Sequence, residues 1–190
     1  MLMFGPVPRT PLPAHPIIAP AFTVQFAIKG TVDSTLPPHT HFADLISPNH
    51  AVVVSQDNYM GNALVGGLIV ARMQALGVPV VVVNGRVRDI PEFQVPVYSR
   101  GTSTLAAGAY STAVAVGTPV RIGFRGEEGR LVYPGDIVFA DSQGVVIIPK
   151  SRLREVVGWV KVITGADEKV MADVKAGRKL YEALKEHRGA

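Results

Sequence analysis

Three stretches of this sequence carry groups that could do chemistry. All three border one strand–helix–strand segment. The first is Asn62-Ala-Leu-Val-Gly66-Gly67-Leu68. Adjacent glycines let a ligand approach the backbone, and the free N–H groups at a helix N-terminus suit an anion. Gly66, Gly67 and Leu68 are therefore candidates for holding a carboxylate or phosphate. The alternative is that the glycines only let a helix pack tightly on a sheet. The glycine spacing is not that of a dinucleotide fingerprint. The second stretch is Asn84-Gly85-Arg86-Val87-Arg88-Asp89, just past an apolar strand, where open α/β sheets bind ligands. Arg88 can clamp a carboxylate and stabilise a developing enolate. Asp89 suits a hard cation such as Mg²⁺. The competing reading is a structural ion pair at a turn. The third feature is Glu92, three residues on, a second carboxylate for the same cation or else a surface glutamate.

Other side chains give weaker signals. No lysine lies near these residues for a Schiff base, which favours a metal over an imine as electron sink. His39 and His41 are two apart in an expected loop and could ligate a metal, but loop histidines are usually just solvated. His15, His50 and His187 have no partner spacing. No serine sits in a nucleophile-elbow context. The absence of cysteine excludes a disulfide framework, a thiolate metal site and a cysteine nucleophile.

The elements that must position these residues follow from the hydrophobic pattern. Phe22–Ile28 alternates as a strand and Ala51–Ser55 reads as another. Residues 29–49 form a loop with a short helix near Phe42–Ile46. Asn62–Gly77 is expected as a helix stopped by Gly77, and Val78–Val83 as a strand buried on both faces. Together they make a βαβ unit with a right-handed crossover. Short β segments follow at Val95–Ser99, Ala113–Val116, Val120–Phe124, Ile137–Ala140 and Val145–Ile148. They are separated by turns at Gly126–Gly129, Pro134–Asp136 and Ser142–Gly144. A helix capped by Ser151 carries Leu153, Val156, Val157, Val160 and Ile163. Gly165 is expected to interrupt it before a second helix bearing Val170, Val174, Leu180 and Leu184. The fold class expected is α/β, with a mixed sheet and C-terminal helices. Residues 1–20, with six prolines and no period, read as an arm or irregular lead-in.

Composition narrows the function classes. The chain has 190 residues, 47% hydrophobic and 18% charged, enough for one buried core and too apolar for a disordered tail protein. No apolar run approaches the roughly 20 residues that span a bilayer. The opening residues lack a signal-peptide pattern, so a cytoplasmic protein without a membrane partner is expected. The formal charge is +4. Residues 1–149 carry 9 basic and 9 acidic side chains, and residues 150–190 carry 10 and 6, so the excess lies in the C-terminal helices. Trp159 and Tyr181 are the only aromatics there, which argues for a solvated helix face and against nucleic-acid binding.

Taken together, Gly67, twenty residues, Arg88-Asp89, two residues and Glu92 resemble the glycine form of the motif of the RraA-like superfamily. This is the 4-hydroxy-4-methyl-2-oxoglutarate / 4-carboxy-4-hydroxy-2-oxoadipate class II aldolase group. Ile18–Val24, Pro96–Thr102, Val132–Val138 and Ala140–Pro149 resemble further family signatures. The likeness runs from about residue 17 to the C-terminus. It divides the chain into an arm (1–16), a catalytic domain (17–150) and a helical extension (151–190). The resemblance implies a swivelling phosphohistidine-type α/β/β domain and a homotrimer or hexamer with sites at subunit interfaces. It implies Mg²⁺ or Mn²⁺ on Asp89, with Glu92 compensating for the aspartate that replaces Gly67 in the other motif form. Arg88 would bind the substrate and stabilise the enolate, while the backbone at Gly66, Gly67 and Leu68 holds the pyruvyl carboxylate. The implied activity is carbon–carbon cleavage of 2-oxo acids through a pyruvate enolate. Oxaloacetate decarboxylation and retro-aldol cleavage of 4-hydroxy-4-methyl-2-oxoglutarate-like substrates share this step. An acid from the neighbouring subunit has its nearest counterparts in Asp167 and Glu168. The alternative is a non-catalytic RraA-like regulator of protein partners; the intact Arg88-Asp89-x-x-Glu92 run favours the enzyme.

Overall fold

The computed structural model describes residues 2–4, 7–10, 14–56, 61–123 and 129–189, the side chains of 2–4 excepted. The chain divides into two compact units, Met1–Lys150 and Ser151–Ala190.

The first unit holds β1 (Leu2–Phe4), β2 (Val7–Pro8), β3 (Ile17–Ile28), β4 (Ala51–Gln56), β5 (Ala63–Val65), α1 (Gly67–Ala75), β6 (Val81–Val87) and β7 (Val97–Thr102). It continues with β8 (Ser111–Val116), β9 (Val120–Ile122), β10 (Arg130–Val132), β11 (Ile137–Asp141) and β12 (Gly144–Ile148). The main sheet runs β1-β12-β11-β3-β4-β6-β7-β2, with β5 beside β6 and β8 beside β3, while β9 and β10 pair separately. β3, β4, β6 and β7 are parallel neighbours, and the flanking strands β11, β12, β1 and β2 pair antiparallel. β1 and β2 occupy opposite edges of this order although only residues 5 and 6 separate them. The three Cα steps from Phe4 to Val7 span at most about 11 Å, so the sheet must curl until its edges nearly meet. It is a mixed, nearly barrel-shaped sheet.

Alternation along the strands builds a core on each face. Val52 and Val54 of β4 join Val81, Val83, Phe26, Val70 and Met73 on the face covered by α1. Ala51 and Val53 join Val80, Val82, Tyr98, Val120 and Ile147 on the other. Val80–Val83 are fully buried, as expected for a strand covered on both faces. β4 and β6 are parallel neighbours joined through α1. α1 stops at Gly77, which takes φ 71°. The Gly77 N–H donates to the Gln74 carbonyl and the Val78 N–H to that of Met73, a Schellman closure.

Four expectations need correction. The first residues are not an irregular arm. β1, β2 and the start of β3 lie among them, and Pro8 is tolerated because β2 is an edge strand. The helix begins at Gly67 rather than Asn62, because Ala63–Val65 pairs with β6 as a strand. Gly165 interrupts nothing: α2 runs from Leu153 to Lys175, and the break before α3 (Leu180–Arg188) falls at Gly177, with φ 88°. Arg152, not Ser151, stands at the N-cap of α2, with no side-chain cap. Of the expected turn at Gly126–Gly129, residues 126–128 lie outside the described residues, as does Phe124.

In the second unit Val170 of α2 and Ala183 of α3 are buried, and Asp173 bonds both Arg178 (2.7 Å) and His187 (3.0 Å). Those two hydrogen bonds hold the Asp173 carboxyl below the usual aspartate range.

Candidate functional site

β6 pairs with β4 along Val81–Asn84 and with β5 at Arg86 and Val87. β5 thus takes over the edge that β4 leaves, and β5 and β6 end side by side. The Arg88 N–H fastens the two ends by donating to the Val65 carbonyl at 3.1 Å. Gly85 permits this packing, since a Cβ there would lie 2.8 Å from Leu64 Cδ1. The chain leaves β5 through Gly66 into α1 and leaves β6 through Arg88 and Asp89. Both exits lie at the carboxyl ends of parallel strands, where such sheets bind ligands.

Asp89 stands in the left-handed region, at φ 62° and ψ 33°. For a residue with a Cβ this costs on the order of 1 kcal/mol. The turn it makes sends its carboxylate back onto α1: Oδ2 accepts the Gly67 N–H at 3.1 Å, and Arg88 Nε lies 3.5 Å from the same oxygen. A helix N-terminus and a guanidinium thus converge on one carboxylate oxygen. The first-turn N–H groups of Leu68 and Ile69 have no intrahelical acceptor, and both residues line the adjoining cleft.

Glu92 closes the short helical turn Ile90–Glu92, and its N–H donates to the Asp89 carbonyl at 3.0 Å. Its carboxylate lies against Gly67. A Cβ on Gly67 would overlap Glu92 Oε2 and sit 3.3 Å from Asp89 Cβ. A Cβ on Gly66 would come within 2.8 Å of Asp89 Oδ2 and 3.1 Å of Arg88 Nε. Close approach, rather than an unusual φ, is what favours glycine at both positions. The structure thus gathers Gly66, Gly67, Arg88, Asp89 and Glu92. Leu68 contributes backbone here, since its side chain is 88% exposed. The Arg88 and Asp89 side chains remain 43% and 32% exposed.

The donor set fits a hard divalent cation. Two carboxylates abut Gly67, and no cluster of three or more His, Cys, Asp or Glu able to hold a metal occurs among the described residues. Mg²⁺ is commonly held by one or two carboxylates, with water and substrate oxygens filling the remaining positions.

Beside the glycines opens a cleft of about 340 Å³, bounded on one side by Gly66–Ile69 and Arg88 and on the other by Phe42, Ala106 and Ala107 among others. Sequence reasoning missed this wall. Its residues come from the loop before β4 and the turn before β8, and only the fold brings them together. His41 is part of it: its Nδ1 accepts the Ala43 N–H at 3.2 Å and caps a short helical turn. His39 is exposed in the same loop. Asp167 and Glu168 lie on α2 in the second unit, where Asp167 pairs with Arg188. Also missed was a polar seam on the other face, where Asn84 Nδ2 donates to Ser55 Oγ at 2.9 Å and Arg100 Nε to Asn84 Oδ1 at 2.5 Å. A lone asparagine ending an apolar strand was its only signal.

Residues 5–147 match the family model RraA-like, described as Aldolase/RraA. The chain belongs to the RraA-like family. Within it, the chain is 27% identical over 155 residues to a protein of Halalkalibacterium halodurans named as a candidate 4-hydroxy-4-methyl-2-oxoglutarate aldolase, covering 80% of this chain and 69% of that one. It is also 27% identical over 175 residues to protein DlpA of Legionella pneumophila, spanning 90% of this chain but only 28% of DlpA. Among solved structures it is similar to RraAS2 of Streptomyces coelicolor, described as an unusual member of the RNase ES inhibitor RraA family. The TM-score is 0.66 at 26% identity, over 93% of this chain and 83% of the other. No helix among the described residues of this RraA-like chain is long and apolar enough to cross a membrane.

Proposed function

We propose that this chain is a divalent-metal-dependent carbon–carbon lyase acting on 2-oxo acids, by oxaloacetate decarboxylation or retro-aldol cleavage of 4-hydroxy-4-methyl-2-oxoglutarate-like substrates. One observation carries the reading: Arg88, Asp89 and Glu92 converge on the N-terminus of α1, beside a cleft of substrate size. Membership of a family that includes aldolases, and the name of the Halalkalibacterium relative, support it.

In this reading Asp89 and Glu92 hold Mg²⁺ or Mn²⁺, which supplies Lewis-acid polarisation of the 2-oxo group. The N–H groups at the start of α1 receive the substrate's C1 carboxylate, with the helix dipole favouring its charge. Arg88, fixed beside Asp89, presents a guanidinium to the oxygen that gains charge as the bond at C3 breaks. The cleft wall limits access of water. Asp89 Oδ2 takes the Gly67 N–H, so a substrate carboxylate at the start of α1 would compete with Asp89 for that donor. The same proposal includes the family's phosphohistidine-type domain class, a cytoplasmic protein, and a trimer or hexamer. Leu68, exposed at the cleft, is the side chain a neighbouring subunit would cover.

The test is pyruvate release from oxaloacetate and from 4-hydroxy-4-methyl-2-oxoglutarate with Mg²⁺, Mn²⁺ or excess chelator. Metal-dependent release is expected. No release from either acid under any metal would favour the second reading, a non-catalytic regulator, which the likeness to RraAS2 motivates.

A further inference from the structure

The wall of the cleft that comes from the loop before β4 and the start of β8 carries two hydrogen-bond donors, each oriented by a bond to its other side. His41 Nδ1 accepts the Ala43 N–H at 3.2 Å, and the imidazole lies on the buried Phe42 with ring centroids 4.6 Å apart. A neutral imidazole keeps its proton on the nitrogen that is not accepting, so the capping bond places it on Nε2. The two ring nitrogens face different ways. With Nδ1 committed to the turn, Nε2–H faces away from it, on a residue that lines the cleft. Ser111, 1% exposed, lines the same cleft. Its Oγ accepts from Asn62 Nδ2 at 2.9 Å, and that Nδ2 also lies 3.4 Å from the Ala63 carbonyl, which fixes the amide this way round. The Ser111 O–H is left to donate elsewhere. Neither His41 Nε2–H nor the Ser111 O–H has an acceptor among the described residues, and a buried hydroxyl calls for one.

We infer that His41 Nε2–H and the Ser111 O–H receive the oxygen on C4 of the substrate and favour aldol cleavage over decarboxylation; this rests on the 2-oxo acid reading above. The α1 end takes the C1 carboxylate and the 2-oxo group, so this wall meets the portion that departs. In 4-hydroxy-4-methyl-2-oxoglutarate the 4-hydroxyl proton passes to water and leaves a charged oxygen. The C3–C4 bond then breaks. Its electron pair stays on C3 as the enolate of pyruvate, and C4 leaves with its oxygen as the carbonyl of a second pyruvate. A proton from water completes the methyl group. Donors on the C4 oxygen favour the charged state over the neutral hydroxyl and raise kcat. In oxaloacetate the C4 group is a carboxylate that loses charge as CO₂ departs. Donors there hold the ground state, lowering KM without raising kcat.

The experiment measures kcat and KM of the full chain with Mg²⁺ on both acids. Deuterium exchange into the methyl group of pyruvate, which has no C4, is read alongside by NMR. His41→Asn keeps a capping oxygen but removes the Nε2 donor. It should melt like the parent and keep the exchange. Its kcat on 4-hydroxy-4-methyl-2-oxoglutarate should fall by about tenfold or more, while on oxaloacetate KM rises and kcat does not fall. His41→Gln, which restores a distal N–H but caps poorly, should melt lower and recover the aldol rate. Ser111→Ala should shift the ratio of the two kcat values in the same direction as His41→Asn. Equal kcat losses on both acids, or no loss in His41→Asn, overturn the assignment. So does a changed mass by light scattering with that ratio unaltered, which would turn this wall toward a neighbouring subunit. Oxaloacetate turnover without aldol cleavage by the parent overturns the assignment and leaves the lyase reading standing. Absence of exchange and of turnover on both acids overturns the lyase reading and the assignment with it.

Discussion

At Asp89 the backbone is held left-handed so that one carboxylate oxygen meets both the start of α1 and Arg88. An amide in its place keeps the shape and the acceptor but loses the charge. Asp89→Asn is therefore expected to fold normally and to lose Mg²⁺-dependent turnover, checked by thermal melting beside a pyruvate assay. Arg88→Lys keeps a positive charge but not the planar fork, and should cost kcat on the order of a hundredfold; a loss below about threefold would make Arg88 structural. Gly67 gives a sharper test, because a methyl group there collides with the flexible end of Glu92 and not with backbone. Glu92 can swing aside, so Gly67→Ala should leave the melting temperature nearly unchanged and weaken Mg²⁺ binding by about tenfold or more by calorimetry. These residues were legible in the sequence because glycine, arginine and carboxylates announce their chemistry by type. Phe42, Ala106 and Ala107 were not, since apolar residues look alike until a fold makes some of them a wall.

Elements with a long periodic signal were found, and short ones were not. Val80–Val83 could be read from its run of valines. β5 has three residues and β10 three, too few to show alternation, so Ala63–Val65 was absorbed into the helix that follows. Gly165 was misread because a single glycine in a 23-residue helix costs only about 1 kcal/mol, which the packing of α3 on α2 offsets. That packing carries its own pH dependence. The Asp173 carboxyl is lowered by its bonds to His187 and Arg178. A depressed acid stabilises the fold above its unfolded value, about 3.9, and loses that contribution as pH falls through the lower folded value. The α2–α3 hairpin should therefore loosen below about pH 4, seen as falling helicity by circular dichroism. In Asp173→Asn the hairpin should be weaker at neutral pH and its acid transition flatter.

For the molecule as a whole, most apolar side chains of the β segments after Val95 are covered. Tyr98, Val120, Ile122, Val132, Val138 and Ile147 are buried by the curled sheet and the β9–β10 pair. Exposed apolar side chains remain at Leu68, Ile18, Tyr110 and Tyr133, and along α2 at Val157, Trp159 and Ile163. Leu68 lies beside the site, so Leu68→Glu should disperse the proposed trimer or hexamer by light scattering and lower activity per chain. Activity of the unaltered protein should fall on dilution below the assembly constant. A fully active monomer would refute the shared site.

The curled sheet has a further consequence, for the order in which it can be made. β2 pairs with β7 near the middle of the chain, but β1 pairs with β12 almost at the far end of the first unit. During synthesis β1 leaves the ribosome before its partner, which follows almost all of the first unit. One edge of the sheet stays open until β12 has emerged. The seam can close only when the chain has doubled back over most of its length, a contact order that slows folding and leaves an unpaired strand edge within reach of other nascent chains.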